Sequence, residues 1–439
     1  MRLLYALVVV GSTAPVWAQY AGPAILTRGE APAAIRGAPI TFRPFIELSG
    51  VYDTGLSGVG VVDPQGNLAN SSAYGVEITF GVSGSHQWKH TLIGLDYRGS
   101  FRHYTEHTFY DGTDQAINLG LTHQVSRHVV LNLRESAGIL SRNFGLLGLQ
   151  QTVPFDPGTT YIPTTDYFDN RTFYLSSQAD LTYQRTARLS FNLGGDYFAN
   201  QRRSSALYDV TGESARGDVQ YRIGRYTTIG ANYMFSRFGF SKGFGDTNMH
   251  IGSVSYSVRF TKNLELSMYG GIAYVETKFI QSVALDPAIA AIVGQIQVTR
   301  LIYKTNFLPN YGGRLSRKFH NGIVAVSGSH MITPGNGLFL TSVQTNVGAS
   351  YNYTGLRHWS AGLDFSYYSS KAISNLNGHY AGLSGGLHIS RRLVHSLHFV
   401  TNFAVRQYSS QDYARYDRLI YRATIGFGWA PGDLPLRAW

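Results

Sequence analysis

From Leu189 to Arg202 apolar and polar positions alternate. Leu189, Phe191, Leu193, Tyr197 and Ala199 fall on one side, and Ser190, Asn192, Asp196, Asn200 and Arg202 on the other. A period of two is that of an extended strand whose faces meet different surroundings. The same split sets Tyr421, Ala423, Ile425, Phe427 and Trp429 against Arg422, Thr424, Gly426 and Gly428, and recurs from Phe339 to Tyr353 against Ser342, Gln344, Asn346 and Asn352. Each run is about 10 to 15 residues long, longer than the usual strand of a soluble protein.

Two kinds of connection separate the runs. Tight turns read Ser126-Arg127-His128, Thr186-Ala187-Arg188, Gly224-Arg225-Tyr226, Thr261-Lys262-Asn263, Lys318 to Asn321, Gly355-Leu356-Arg357 and Ser390-Arg391-Arg392. Between them lie longer loops near residues 53–71, 104–113, 141–169, 203–209, 239–247, 279–297, 334–338, 371–377 and 410–416. Short turns at one rim and long loops at the other are the asymmetry of transmembrane barrels. The pattern predicts an all-β fold: a single closed antiparallel β-barrel over residues 41–430, of about 18 strands, with short periplasmic turns and longer extracellular loops. Trp88, Tyr197, Trp359 and Trp429 are candidates for its interfacial girdles.

Composition narrows the medium. Charged residues make up 14% of the 439, against roughly 25% in ordinary soluble proteins, so a soluble sandwich or propeller lacks its charged exterior. Mean hydropathy is -0.11, and beyond the N-terminus no apolar run reaches the roughly 18 residues of a spanning helix. With Cys 0 and Gly 49, neither a disulfide framework nor a coiled coil is available.

At the start, Met1 and Arg2, the apolar stretch Leu3 to Val10 and Val16-Trp17-Ala18 before Gln19 form a signal-peptide pattern over residues 1–18, so the chain is expected to be exported. Residues 19–40, rich in Ala, Pro and Gly, read as a flexible periplasmic lead-in. Residues 431–439, with Pro431 and Pro435, form a C-terminal tail.

Over nearly all of residues 41–430 the chain resembles the porin-like outer-membrane β-barrels of Gram-negative-type bacteria. Units such as Leu181 to Leu193 and Leu387 to Phe399 are similar to barrels that accompany exopolysaccharide export. The resemblance implies a place in the cell outer membrane, contact with outer-membrane lipid and lipopolysaccharide, and insertion by the barrel-assembly machinery. One departure stands out: such barrels often finish on an aromatic, whereas here Trp429 is followed by the tail to Trp439.

The chemistry-bearing residues give no catalytic, metal or cofactor site. His103, Glu106 and His107 stand in one short stretch, but strand residues four apart are about 13 Å distant, too far to share an ion. Ser329 with His330, His320 with Asn321, and His107 with Asp111 and Asp114 supply residue types of an outer-membrane hydrolase without a distinguishing motif. Gly243 to Asp246 lacks the lysine of a phosphate loop. Lys and Arg number 37 against 26 acids, yet the arginines are spread over strands and no nucleic acid partner is expected.

Alternation instead turns Arg98, Arg102, Arg134, Arg202, Arg216, Arg222, Arg259, Lys304, Arg314, Arg406 and Arg422 inward, against Glu47, Glu77, Asp96, Asp180, Asp196, Asp218, Glu265 and Asp364. The expectation is a positive lumen that passes small polar or saccharide solutes passively, anions preferred. The alternative is a structural or interaction barrel whose inward charges pair across strands and whose lumen is blocked. Glu135 falls on the lipid side unless a local bulge turns it inward. The loop at 141–169, stiffened by Pro154, Pro157 and Pro163 and carrying Phe155, Tyr161, Tyr167 and Phe168, is expected to narrow the pore. In the loop at 279–297, Asp286, Pro287, Ile289 to Val293 and Gly294 suggest a short helix.

Overall fold

A computed structural model describes residues 41–54, 72–105, 111–141, 171–205, 207–241, 245–284, 297–335, 337, 340–353, 355–356, 358–373, 378–394, 396–410 and 418–431. These form 18 strands: β1 (Thr41–Asp53), β2 (Ala73–Gln87), β3 (Thr91–Tyr104), β4 (Gly112–Gln124), β5 (Val129–Leu140), β6 (Thr172–Gln184), β7 (Leu189–Arg202), β8 (Val210–Arg222), β9 (Thr227–Gly239), β10 (Gly245–Thr261), β11 (Leu264–Ala284), β12 (Gln297–Phe319), β13 (Gly322–Thr333), β14 (Ser342–Tyr353), β15 (Trp359–Ala372), β16 (His379–Arg392), β17 (Leu397–Ser410) and β18 (Arg418–Trp429). Among the described residues there is no helix.

Every strand pairs antiparallel with its neighbours in sequence, and β1 also pairs with β18, from Ile46 opposite Trp429 to Asp53 opposite Arg422. That last ladder closes the sheet. In hydrocarbon no water is present to satisfy an open edge, so closure lets every strand hold its backbone groups in ladders. The alternation read from the sequence becomes the two faces of the wall. Leu193, Ile272 and Phe307 are 64%, 62% and 73% exposed and belong to an outer layer dominated by Ile, Leu, Val, Phe and Tyr. A face of that size and apolarity is matched by lipid, not by water. Trp88, Trp359 and Trp429 stand on the outside near the short-turn rim, and Tyr197 sits outside in the half nearer the long loops.

Cross-strand pairing is regular; one register shift, between Arg259 and Thr261, accompanies the β10–β11 turn. No bulge turns Glu135 inward. The β4–β5 and β5–β6 ladders run without a shift, and Glu135 stays opposite Leu119 and Ser177 on the lipid side. Ser177 Oγ donates a hydrogen bond to Glu135 Oε2. A bulge would have cost ladder bonds and displaced Leu133 or Ala137, whereas a neighbouring serine satisfies the carboxyl within the regular sheet.

On the inner face, aromatic rings lie across glycines directly opposite them. Tyr368 faces Gly382, Phe198 faces Gly212, Tyr269 faces Gly312 and Tyr174 faces Gly138. A Cβ at Gly382 would meet the Tyr368 ring at 2.4 Å, and one at Gly212 the Phe198 ring at the same distance. The missing side chains let the rings lie flat against the wall, covering the backbone.

The element ends agree with the sequence, with two exceptions. β11 and β12 are 21 and 23 residues long, against 12 to 17 for the others, so residues expected in the loop at 279–297 continue the strands to Ala284. The short helix centred on Ile289, and the aromatics Phe155, Tyr161, Tyr167 and Phe168, lie outside the described residues.

Candidate channel wall and its inward-folded loop

Register with the lipid-facing set turns all ten arginines and Lys304 toward the lumen, but they divide into two populations. Arg98, Arg102, Arg202, Arg216 and Arg422 are 1–7% exposed. Arg134, Arg222, Arg259 and Arg406 are half-buried, and Arg314 is exposed.

The buried arginines are held by acids in the wall. Arg102 Nε donates to Glu77 Oε2 at 2.8 Å and its Nη2 to Asp114 Oδ2 at 2.6 Å. Arg422 reaches the same Glu77 carboxylate from β18, across β1. Ser141 Oγ completes Asp114, and Tyr104 OH donates to Asp53, which sits opposite Arg422. Farther round, Arg216 pairs with Asp180. Arg202 donates to the Tyr208 carbonyl, while its own backbone N–H goes to Asp209 Oδ1. The guanidinium of Arg98 lies 5.5 Å over the Phe45 ring. Buried charge survives only when it is paired and hydrogen-bonded like this. Asp53 and Asp114 are absent from the inward acids expected from the sequence: Asp53 falls at the edge of the loop read at 53–71, and Asp114 stands there only among the hydrolase-type residues.

Beside these, on the far side of Arg422's own strand, β15–β18 carry a relay of polar side chains on the inner wall. Asp364 Oδ1 meets His388 Nε2 at 3.0 Å, His388 Nδ1 meets Asn402 Oδ1 at 3.1 Å, and Asn402 Nδ2 donates to Thr424 Oγ1. Above it, the Tyr368 ring stands edge-on to Tyr380 and Tyr408, and Arg406 Nη1 donates to the Tyr408 hydroxyl.

The loop between β13 and β14 folds into the mouth. All of its described residues, Pro334, Gly335, Gly337, Leu340 and Thr341, are buried. Its anchors lie far around the barrel: Tyr208 N–H donates to the Gly337 carbonyl at 2.8 Å, and Thr341 Oγ1 meets Thr247 Oγ1 on β10 at 2.7 Å. Gly337 has φ +91, and a Cβ there would lie 2.5 Å from Arg202 Nε. Both the backbone conformation and the close approach require glycine. Beneath the loop, Leu340 and Ile373 join Phe198, Phe238, Met249 and Phe279 in an apolar cluster on the inner side of β7–β11. Lys304 Nζ donates to the Ile373 carbonyl at 3.2 Å. The loop that reaches into the mouth is thus one that the sequence marked only as a connection, because neither its length nor its Gly-Asn-Gly run reveals where it docks.

Glu106 and His107 lie outside the described residues, and the enzyme-like residues that are described do not assemble. Ser329 and His330 point to opposite faces; His330 stacks on Tyr311 and bonds Thr345 Oγ1. His103 bonds Asp111 at 2.6 Å at the exposed rim. Among the described residues no group of three or more His, Asp or Glu could hold a metal ion.

A closed sheet with a lipid-facing outside and a charged, hydroxyl-rich inside makes the chain a porin-like transmembrane β-barrel. Among solved structures it aligns with OpdL of Pseudomonas aeruginosa at 12% identity and a TM-score of 0.41, covering 89% of this chain and 99% of that one. It also aligns with P. aeruginosa OccK2 (OpdF) in complex with glucuronate, at 9% identity, TM-score 0.42 and coverage of 89% and 98%. A BenF-like porin from Pseudomonas fluorescens aligns at 8% identity, TM-score 0.42 and the same coverage. No family model and no curated protein matches the sequence.

Proposed function

We propose that this protein is an outer-membrane channel for the passive passage of small polar solutes, with anions preferred and acidic saccharides within its range. One observation carries the reading, the division of inward charge by burial. At buried positions Arg98, Arg102, Arg202, Arg216 and Arg422 are offset by Asp53, Glu77, Asp96, Asp114, Asp180 and Asp209, six acids to five bases. That set contributes little net field. At accessible positions the balance is basic: Arg43, Arg134, Arg222, Arg259, Lys304, Arg314, Lys318 and Arg406 against Glu47, Asp196, Asp218, Glu265 and Asp364. Low-dielectric walls focus such an excess on passing solutes, and arginine takes carboxylates or sulfates in two-point contact. A role beside exopolysaccharide export fits the same chemistry where the polymer is acidic. In this reading the barrel is a conduit and not an enzyme, and the assembly machinery inserts it.

A second reading, a structural or interaction barrel with a blocked lumen, is favoured by the apolar cluster of β7–β11 and the buried β13–β14 loop. Single-channel recording of the purified, refolded protein separates the two. Discrete conductance steps with an anion-directed reversal potential in a salt gradient are expected. A silent bilayer containing folded, heat-modifiable protein would leave the blocked barrel.

A further inference from the structure

The sheet closes on itself, but one ladder stops short. All of β13, from Gly322 to Thr333, is paired with β14, whereas its ladder with β12 ends at His330 opposite Tyr311. Above that pair β12 runs on from Asn310 to Gln297, and among the described residues only β11 ladders with it there. Pro309 stands where the free edge begins; proline has no N–H to give a ladder and in sheets keeps to such edges. Above the break the wall is closed by side chains. Ile332 shares the outward parity of His330, yet it is 4% exposed, because it belongs to the apolar cluster against which Leu308 and Ile302 of β12 also pack. On the outside, Tyr303, Phe307 and Tyr311 line the same length of β12, all exposed. The rings of Phe307 and Tyr274 meet at 5.1 Å as part of an interfacial girdle. Tyr311 lies about 10 Å farther down the tilted strand, at acyl-chain depth. Backbone at that depth stays out of a ladder only where protein covers it or where it lines a route through the wall.

We propose that the β12–β13 seam is a lateral gate through which a carboxylate with an acyl tail passes between the lumen and the outer leaflet; the proposal rests on the channel reading above. Elsewhere a lateral opening would break a run of backbone hydrogen bonds. Here it needs only new rotamers of Leu308, Ile302 and Ile332, with the ladders on either side left whole. Apolar surface is continuous through the wall at this place, from Phe279 and Leu340 on the lumenal side, through the seam, to Phe307 on the lipid side. A sugar gains nothing from such a lane, whereas a hydrocarbon tail is kept from water along all of it. Donors for the head stand on the inner face of β12. The Lys304 ammonium gives one N–H to the Ile373 carbonyl and has two more. Two residues along, Asn306 has a buried Nδ2 with no hydrogen-bond partner among the described residues. A carboxylate at the lumenal end of the seam would satisfy both. Head donors inside and an apolar lane leading outward together describe a medium-chain fatty acid.

The test exploits the absence of cysteine from the chain. In the whole barrel in lipid nanodiscs, Leu308→Cys/Ile332→Cys is bridged across the seam by a short thiol cross-linker, and Leu308→Ala/Ile332→Ala widens it, each checked for heat-modifiable folding. The probe is decanoate with a photoreactive diazirine on its tail, and its adducts are located by mass spectrometry. In the wild type, adducts should fall on Ile302, Ile332 and Leu340 as well as on Phe307, and unlabelled decanoate should displace them where glucuronate does not. Bridging should lower the adducts on Leu340 and Phe279 severalfold against the unbridged variant, and the alanine pair should raise them. Adducts confined to the outer face, lumenal adducts indifferent to both variants, or equal displacement by glucuronate would overturn the gate. Chloride conductance reads the lumen alone and should survive the bridge. A barrel that conducts without seam adducts defeats this proposal only. A silent barrel with bridge-sensitive adducts defeats the channel reading and leaves the seam as the entrance to a blocked lumen.

Discussion

Glu77 shows how a single side chain ties the wall together. Its carboxylate is shared by Arg102 on the neighbouring strand and by Arg422 two strands away, so one residue links β2, β3 and β18 across the seam at β1. Replacing Glu77 with Leu leaves two buried guanidiniums short of an acceptor, and such a loss typically costs about 3 kcal/mol or more. We expect the urea midpoint of the folded barrel in detergent to fall accordingly, and the double variant Glu77→Leu/Arg102→Met to recover part of the loss. An unchanged midpoint would mean that Asp53 and Asp114 alone satisfy the arginines. Gly337 is a second such residue. Gly337→Val places a branched side chain at φ +91 and against Arg202, which should expel the loop from the mouth and raise single-channel conductance without changing heat-modifiable migration. Conductance equal to that of the wild type would show that the loop does not narrow the passage.

At the scale of elements, strands and turns were legible because in a two-sided wall every second residue reports its solvent. Leu189 to Arg202 and Tyr421 to Trp429 fold with the faces that their alternation gave them. Where local pattern stops reporting, the reading stopped too. Asp53 continues the inward alternation of β1 but falls in the loop read from residue 53, because polar residues end strands as readily as they line a lumen. Likewise residues 279–284 and 297 look like loop residues; they are strand because β11 and β12 pair with each other beyond the rim, from Phe279 opposite Ile302 to Ala284 opposite Gln297. Alternation places Glu135 on the lipid side unless a bulge intervenes, and a hydroxyl on the next strand makes the bulge unnecessary.

For the whole molecule, the decisive quantity is net charge after pairing. An open barrel whose accessible inward bases outnumber its accessible acids should select anions, and the set nearest the short-turn rim, Arg222, Arg259 and Arg314, should carry much of that preference. Arg259 is tempered by Glu265 at 3.8 Å, both half-exposed, so its share should be the smallest. Converting all three to Ser should lower the anion-to-cation permeability ratio severalfold at low salt, with the difference shrinking as ionic strength rises and screens the lumen. Removing a buried pair whole, Arg216→Met with Asp180→Leu, should instead lower stability and leave the ratio nearly unchanged, because the two charges already cancel each other.

Alone, the sequence determined a barrel of about 18 strands, the faces of the wall and the end that carries the long loops, because these follow from a period of two and from turn length, both local properties of the chain, while the closed sheet fixed the count at 18. It also named the inward arginines. Only the tertiary structure decided which of those arginines are neutralised, since Arg422 and Glu77 are 345 positions apart and meet only once the sheet closes on itself. The same closure brings Gly337 to Tyr208 and Thr341 to Thr247, and gathers Leu308 and Ile332 at one apolar cluster. Alternation fixes the direction in which a side chain points; which partner it meets there depends on register summed around the barrel.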